Sequence, residues 1–373
     1  MIARLCLSDM HLGDLRSTLS NSEVATKVAA YLGEISGGAI GDLILNGDIW
    51  EECIPVQPGD LTKGLATSVV KASQHFFGEL FKRVTVQKIV VIPGNHDFTL
   101  WHWWCQHQLA SSSTETAYSG VEVSGVEWPW CVLFGEAPTA KLVFSYPIYW
   151  DRSVGDDYPV LIFTHGHLVD PLVLGRGTEI EYILLKGLGC SRPNVPTDAD
   201  GCRSIRRVAE LTQQFILALW SRYSRRDYAY ANYIMRRLCH PQTCQWQHTM
   251  VAPGWYLLED RCHKDDAPTV GEGYLSAIPK LIELLLCDPG LPSPVGVIGQ
   301  GEVGLAFLNP SCLVYGHDHL AAHQMIVMAG VPFLAVGSGG WTSEFDGHRP
   351  HTHVLVWEKQ KDVTPRSYFI RTT

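Results

Sequence analysis

Five short polar motifs of this 373-residue chain combine aspartate, asparagine, histidine and glycine, and each follows an apolar run. In chain order the motifs are Asp9-x-His11, Gly47-Asp48, Gly94-Asn95-His96-Asp97, His165-Gly166-His167 and Gly316-His317-Asp318-His319. Carboxylate, amide and imidazole groups are ligands that manganese, iron and zinc accept in proteins. Residues two apart in an extended segment point to the same side, so Asp9 and His11 can bind one ion together, as can the two histidines of the last motif. The motifs therefore predict a metal centre.

Each motif taken alone also has a purely structural interpretation. An aspartate or asparagine beside glycine is commonly a turn residue or a helix cap. A histidine near a strand end is commonly a hydrogen-bonded group of the core or the surface. In the fourth motif, the residue types leave open whether His165 or His167 is the ligand. The occurrence of all five motifs at predicted strand ends favours the metal centre over these alternatives.

The elements that position the first motifs alternate between strands and helices. Apolar runs predict strands at Ile2 to Ser8, Asp42 to Leu45 and Lys88 to Ile92, and helical patterns lie at Ser22 to Ile35 and Leu61 to Phe81. This alternation predicts an α/β fold in which helices pack on a sheet through crossover connections. Ligands of open α/β sheets bind at the carboxyl ends of strands, so motifs far apart in the chain are expected to meet there.

Short β-rich runs separated by turns follow from about residue 121 and return after residue 310. These runs are Val121 to Gly125, Cys131 to Phe134, Lys141 to Ser145, Val160 to Thr164, Cys312 to Tyr315, Gln324 to Met328, Pro332 to Val336 and Val354 to Trp357. Residues 171–309 between them have Gly/Pro-rich ends and a helical middle. We therefore expect a discontinuous domain, 1–170 with 310–373, that is split by a mostly helical insertion, 171–309.

Composition predicts a globular protein without a membrane span. Hydrophobic residues make up 46% and charged residues 18% of the chain. The longest apolar run, Met325 to Val336, is shorter than the roughly 18 residues that a span needs. The first residues do not have the pattern of a secretory signal. The eleven cysteines are an odd number and are scattered, which favours a reducing compartment, so we expect a cytoplasmic location.

The motif series DxH, GD, GNHD, H and GHxH resembles the calcineurin-like metallophosphoesterase superfamily over about residues 1–170 and 310–373. The resemblance implies a β-sandwich flanked by helices that binds two divalent ions, foremost manganese, with iron or zinc as alternatives. It implies that one ion is bound by Asp9, His11, Asp48 and His319, and the other by Asp48, Asn95, His165 and His317. Asp48 bridges the two ions in this scheme. The family pattern also favours His165 over His167 as the ligand.

Within the superfamily, the chain resembles the UDP-2,3-diacylglucosamine hydrolases at three places. These are Gly47-Asp48-Ile49-Trp50-Glu51, the His-Gly dipeptide at His165, and the Gly-rich turn in Val336 to Glu344 with Trp341-Thr342. The chain departs from them in the size and position of its insertion and in the tryptophans of Trp101 to Trp104. A lipid-linked substrate is therefore one alternative and does not follow from the resemblance.

The superfamily resemblance implies a metal-dependent phosphoesterase. In that class a hydroxide activated by two metals attacks a phosphodiester, pyrophosphate or phosphomonoester. His96 matches the catalytic histidine, which protonates the leaving group or stabilises the transition state; its alternative role is to orient Asn95. Asp97 either orients His96 or caps the local backbone. Two other functions stay open, namely a nuclease at the same site and a metal-binding scaffold without activity.

The predicted insertion carries eight arginines but only two acidic residues between positions 203 and 237, although the whole chain has a formal net charge of -9. Arginine binds phosphate through paired hydrogen bonds, so a helical cap here is a candidate substrate-binding element. Its candidate ligands are Arg206, Arg207, Arg225 and Arg226. In the alternative interpretation these arginines lie in solvent or in salt bridges.

Trp101 is a candidate to stack on a base, sugar or acyl chain, with core packing as its alternative. The expected partner is a small phosphorylated substrate, for which a nucleotide-linked or a lipid-linked molecule is an open alternative. Nucleic acid stays a less favoured partner, because the net negative charge disfavours general nucleic-acid binding. A cluster around Cys239, Cys244 and His248 leaves a structural zinc open, although it has no Cys-x-x-Cys pair. The oligomeric state does not follow from the sequence.

Overall fold

The computed structural model describes residues 1–52, 65–94, 96–97, 100, 120–135, 139–145, 148–152, 160–166, 310–317, 319, 321–328, 331–342 and 352–370. Apart from Gly166, these residues belong to one unit, Met1–His165 with Pro292–Thr373. The predicted insertion and its boundaries lie outside the described residues and stay a prediction. Several predicted site residues lie outside them as well: Asn95, Trp101, His167, Arg206, Arg207, Arg225, Arg226 and the Cys239, Cys244 and His248 cluster.

Twelve strands and three α-helices occur in the described part of the chain. They are β1 (Ile2–Leu7), α1 (Ser22–Ser36), β2 (Ala39–Asn46), α2 (Thr67–Phe81), β3 (Thr85–Ile92), β4 (Val121–Val123), α3 (Trp130–Phe134), β5 (Lys141–Phe144), β6 (Ile148–Arg152), β7 (Val160–Thr164), β8 (Pro310–Tyr315), β9 (Ala321–Met328), β10 (Val331–Ser338), β11 (His353–Trp357) and β12 (Arg366–Phe369). A short 3-10 helix, Thr18–Ser20, precedes α1.

The strands form two mixed sheets. The larger has the order β12-β11-β1-β2-β3-β5-β4, and the smaller has the order β6-β7-β8-β10-β9. Strands β1, β2, β3 and β5 are parallel to one another, as are β7, β8 and β10. All six residues of β1 are buried, as expected of a parallel strand that is covered on both faces. The coarse prediction of an α/β fold is therefore confirmed.

Helix α1 begins and ends where its sequence predicts. The side chain of Asn21 accepts hydrogen bonds from the backbone amides of Glu23 and Val24, which caps the first turn. Gly37, with φ +61°, ends the helix in the left-handed conformation. The buried positions follow helical spacing along one face: Ala25, Val28, Ala29, Leu32 and Ser36. The apolar face of α1 therefore packs on the larger sheet, in one core with α2 and α3.

The two sheets share a second apolar core. It includes Cys6 and Val90 of the larger sheet and Val314 of the smaller, and the rings of Phe163 and Trp357 meet across the sheets at a centroid distance of 5.5 Å. A polar contact also crosses the sheets, because buried Arg4 donates to Asp151. Residues on the two sheets are thus held together by apolar packing and by buried polar bonds.

The sequence-based strands and helices mostly agree with the structure, with two corrections. The apolar run Cys131 to Phe134, predicted as a strand, lies in helix α3, and the prediction is wrong. Trp130, Leu133 and Phe134 are its buried residues, a spacing that fits one face of a helix. Helix α2 begins at Thr67 rather than Leu61, because Ala66 has extended backbone.

No helix in the described ranges combines the length and the apolar character that crossing a membrane requires.

Candidate metal centre

The motif segments after β1, β2, β7 and β8 are joined by backbone hydrogen bonds. The amide of Asp9 donates to the carbonyl of Gly47 at 2.9 Å, and the amide of His11 donates to the carbonyl of Asp48 at 2.9 Å. In the smaller sheet, Gly316 donates to the carbonyl of His165 at 3.0 Å. The carboxyl ends of parallel strands therefore bring these motifs together, as the sequence predicts.

Five residues other than glycine in the described part of the chain have a positive φ, and all five are predicted metal ligands. They are Asp9 at 50°, His11 at 45°, Asp48 at 49°, His317 at 76° and His319 at 56°. Such conformations are uncommon for residues with a Cβ and cost on the order of 1–3 kcal/mol each. They persist only where surrounding contacts impose them, and they concentrate at functional sites.

Glycines allow the ligand side chains to approach the backbone closely. A Cβ on Gly47, whose φ is +83°, would overlap the imidazole of His165. A Cβ on Gly94 would overlap the carboxylate of Asp48. The glycines of the motifs are thus needed for side-chain space, and at Gly47 also for the backbone conformation.

Asp9, His11 and His319 form the first ligand group. Their potential ligand atoms all lie within 4.8 Å of one another. The Nε2 atoms of His11 and His319 are 3.2 Å apart, and Nε2 of His319 is 3.5 Å from Oδ1 of Asp9. Asp9 is fully buried, and its carboxylate also accepts bonds from the hydroxyl of Ser8 and the amide of His317. One cation at this place can contact all three side chains.

Asp48, His165 and His317 form the second ligand group, again with ligand atoms within 4.8 Å of one another. Nε2 of His165 lies 3.1 Å from Oδ2 of Asp48. The same oxygen lies 3.8 Å from Nε2 of His11, which belongs to the first group. Asp48 therefore stands between the two groups, where a shared ligand is expected.

The outer ring nitrogens of three ligand histidines contact protein oxygens. The contacts are His11 Nδ1 to Glu51 Oε2 at 2.9 Å, His319 Nδ1 to Thr342 Oγ1 at 2.9 Å, and His165 Nδ1 to the carbonyl of Asn46 at 3.4 Å. Metal-binding histidines are commonly held in this way, which fixes the ring and leaves the other nitrogen for the ion. In all three rings that other nitrogen is Nε2, the atom that faces the neighbouring ligands in the distances above.

Glu51 is a candidate functional residue to which the sequence-based reasoning gave no role. Its Oε1 lies 2.9 Å from Nδ1 of His96, and its Oε2 is the oxygen that contacts His11. Burial alone raises the pKa of the Glu51 carboxyl, but the charges and hydrogen bonds of His96 and His11 lower it overall. The available signal was a carboxylate three residues after Asp48, within the segment Gly47 to Glu51.

Asp97 contacts backbone amides through both carboxylate oxygens. It accepts from Trp50 at 2.9 Å, from Gly94 at 2.9 Å and from Ile49 at 3.4 Å. Of its two predicted roles, the structure shows the backbone cap, and it is Glu51 that bonds the ring of His96. Burial, followed by the charge of Asp48, raises the pKa of Asp97 to about 7. Asp97 thus fastens the second and third motifs together.

His96 also belongs to a third group of potential metal ligands, since its ring nitrogen lies within 4.8 Å of ligand atoms of His11 and Asp48. Its backbone amide donates to Oδ1 of Asp48 at 2.8 Å. Its ring stands edge-on to that of His11, with centroids 4.7 Å apart. The side chain of His96 is 16% exposed and that of Glu51 is 4% exposed, so His96 lies nearer to solvent than the carboxylate that holds it.

The pKa values of two residues in the ligand groups, Asp48 and His319, are shifted in the direction that favours cation binding. Burial alone raises the pKa of Asp48, but the neighbouring rings of His165, His96 and His11 lower it well below its usual range. Burial and then the charge of His11 lower the pKa of His319 well below its usual value. Ionised carboxylates and neutral imidazoles are the forms that coordinate metals. The oxygen and nitrogen donors therefore fit two adjacent divalent ions.

Comparison of the chain with protein-family models and with curated proteins gave no match. The function is therefore inferred from the contacts and the chemistry of the site itself.

Proposed function

We propose that the protein is a metal-dependent phosphoesterase of the calcineurin-like type, active with two adjacent divalent ions, foremost manganese. The observation that carries this proposal is the pair of adjacent ligand groups, in which five of the six residues have left-handed backbone conformations: Asp9, His11, Asp48, His317 and His319. Seven residues are proposed as ligands: Asp9, His11, Asp48, Asn95, His165, His317 and His319. Asn95 is included because of its position in the motif Gly94-Asn95-His96-Asp97 alone, since it lies outside the described residues.

Two divalent ions suit phosphoryl chemistry. When bound, such ions lower the pKa of a water and offset the negative charge that develops on a phosphoryl group. The chain supplies buried carboxylates. Its imidazoles of His11 and His319 are already oriented, by Glu51 and Thr342 respectively. Little rearrangement is then required when a phosphate ester binds, which is the general condition for electrostatic catalysis.

His96 is proposed as the group that acts on the leaving oxygen. Glu51 accepts the Nδ1 proton of His96, which leaves Nε2 for the substrate. An imidazole in this role contributes roughly 10²- to 10⁴-fold to the rate.

The proposed substrate is a small phosphorylated molecule, and the arginines 206, 207, 225 and 226 are proposed to bind it. The proposal extends to a cytoplasmic location.

An assay panel with Mn²⁺ tests the reaction class: a nitrophenyl diester, a nitrophenyl monoester, a nucleoside diphosphate sugar and single-stranded DNA. We expect turnover of at least one small ester, abolished by a chelator and restored by Mn²⁺.

Three outcomes would contradict this proposal. Cleavage of DNA without turnover of any small ester would indicate the nuclease. Binding of two ions without turnover of any substrate in the panel would indicate a scaffold that kept its ligands and lost its activity. An active preparation with a chelator present would exclude the metal-dependent mechanism altogether.

A further inference from the structure

Asn46, the last residue of β2, joins the two sheets at the end that carries the ligands. It is fully buried in a strand of otherwise mostly apolar residues. Its side-chain Nδ2 donates to the carbonyl of Thr164 at 2.9 Å, and Thr164 ends β7 in the other sheet. Its backbone carbonyl accepts the hydroxyl of Ser8, which directly follows β1, at 2.8 Å. One residue thus links the ends of three strands.

Each of these bonds reaches a residue next to a proposed ligand. Ser8 precedes Asp9, and Thr164 precedes His165. The carbonyl of Asn46 is also the oxygen that lies 3.4 Å from Nδ1 of His165. A change at Asn46 would therefore act on the ligands without any direct contact between its side chain and an ion.

Burying the amide of Asn46 has an energetic cost, and one contact offsets it. Oδ1 of Asn46 is buried and has no hydrogen-bond partner among the described residues. Burying an unpaired polar oxygen is unfavourable, and an apolar side chain of similar size would avoid that cost. The donated bond to Thr164 is the compensating contact, and it crosses between sheets where the ligands converge.

The two ligand groups depend on this bond unequally. In the first group, His319 is held by Thr342 at 2.9 Å, and the neighbouring Trp341 donates its amide to the carbonyl of Asp9 at 3.1 Å. That group therefore has its own link between the sheets. In the second group, His165 directly follows Thr164, and the bond from Asn46 holds that strand end to β2.

We propose that Asn46 is a positioning residue for the second ion. It holds the end of β7 against β2, so that Nε2 of His165 stays 3.1 Å from Oδ2 of Asp48. The inference rests on the proposed two-ion centre. It predicts that loss of the Asn46 amide weakens the Asp48, His165 and His317 group and leaves the Asp9, His11 and His319 group nearly intact.

The test is a Mn²⁺ titration of the full chain, followed by calorimetry and by electron paramagnetic resonance. Asn46→Asp keeps the shape but lacks the donor, and Asn46→Ala serves if the buried carboxyl prevents folding. We expect two ions in the wild type, spin-coupled because they are adjacent. In the variant we expect one ion with near-wild-type affinity, a second bound about 10- to 100-fold more weakly, and loss of the coupled signal.

Tyr149→Phe is the matched control. The hydroxyl of Tyr149 lies 3.0 Å from Nζ of Lys88, so this variant also removes a part-buried bond between the sheets. Lys88 lies four residues before the end of β3, roughly 13 Å along the strand from the ligand loops. We expect the control to bind both ions normally. Thermal unfolding of each metal-free variant separates loss of fold from loss of the site.

The outcomes distinguish this inference from the proposed function. Two tightly bound ions in both the wild type and Asn46→Ala would overturn the role of Asn46 and leave the two-ion centre standing. Equal weakening of both ions, or the same pattern in Tyr149→Phe, would show a general structural role and would also overturn it. A wild type that binds fewer than two ions would refute the two-ion centre, and the inference with it.

Discussion

Oε1 of Glu51 lies 2.9 Å from Nδ1 of His96, inside a site where the other oxygen of the same carboxylate lies 2.9 Å from Nδ1 of His11. One buried side chain therefore orients a proposed metal ligand and the proposed acid together. Asp48, the proposed shared ligand, lies three residues before Glu51. One short segment after β2 therefore carries both the proposed shared ligand and the carboxylate that contacts His96.

Glu51→Gln tests this linkage. The amide keeps the shape but replaces one acceptor oxygen by a donor, so one of the two imidazoles loses its partner. We expect turnover or metal affinity to fall by about 10- to 100-fold, as is common when the partner of a ligand histidine is changed. Steady-state kinetics and metal titration measure the two effects separately. Glu34→Gln, on the exposed face of α1, is the control, and equal behaviour of both variants would contradict the role of Glu51.

Asp48→Asn tests the shared ligand. Removal of its charge takes an anionic donor from both groups at once, and Asp48 is the residue that stands between them. We expect at most one tightly bound ion by elemental analysis. Turnover should fall by on the order of 10³-fold, because the two ions together contribute several kcal/mol to the barrier. Near-normal activity of this variant would show that Asp48 does not bridge.

His96→Ala tests the acid. The variant should keep most of its metal and lose roughly 10²- to 10⁴-fold in kcat, most severely for alkyl leaving groups, because poor leaving groups need protonation most. Comparison of nitrophenyl and alkyl esters measures this dependence. Equal slowing of both would leave only transition-state stabilisation for His96. Loss of one ion would instead favour a ligand role, in agreement with its grouping with His11 and Asp48.

Thr342→Val tests the contact between Oγ1 of Thr342 and Nδ1 of His319, which is 2.9 Å long. Valine has nearly the shape of threonine but no hydroxyl, so the ring of His319 loses its outer partner. We expect about a 10-fold or greater loss of metal affinity in the first ligand group, measured by Mn²⁺ titration. Thr342→Ser retains the hydroxyl and should recover most of the affinity. If serine and valine give the same result, packing of the methyl group is the important feature.

Gly47→Ala tests the close packing around His165. The added Cβ would overlap the imidazole, and φ of +83° disfavours alanine, so the free energy of unfolding should fall by more than about 1 kcal/mol. Gly78→Ala is the control in helix α2, where a Cβ meets nothing within 4 Å, and it should raise stability by roughly 0.5–1 kcal/mol. Urea unfolding of the metal-free protein measures both. A neutral Gly47→Ala would mean that His165 can move away without cost.

Local sequence determined the strands that precede the proposed ligands and indicated which residues those ligands are. The parallel strands β1, β2, β3, β7 and β8 contain apolar runs, and such runs are visible without knowledge of their neighbours. The proposed ligands follow these strands in short motifs, so their convergence follows from the general geometry of parallel sheets. The same local pattern failed at Trp130–Phe134, where five residues are too few to distinguish a helix from a strand.

The partners of the ligands were decided only by the tertiary structure. Glu51 contacts His96 across 45 positions of the chain, and Asn46 reaches Thr164 across 118. No spacing rule connects such residues, because the bonds form only after strands far apart in the chain have come together. Glu51 and His96 follow β2 and β3, which are neighbours in one sheet, whereas the bond from Asn46 to Thr164 crosses between the sheets. Asp97 illustrates the same limit: the sequence left open whether it orients His96 or caps the backbone, and the fold presents it with the amides of Trp50 and Gly94. Residue types and their order therefore predicted the candidate ligands, whereas long-range packing determined which side chains contact them.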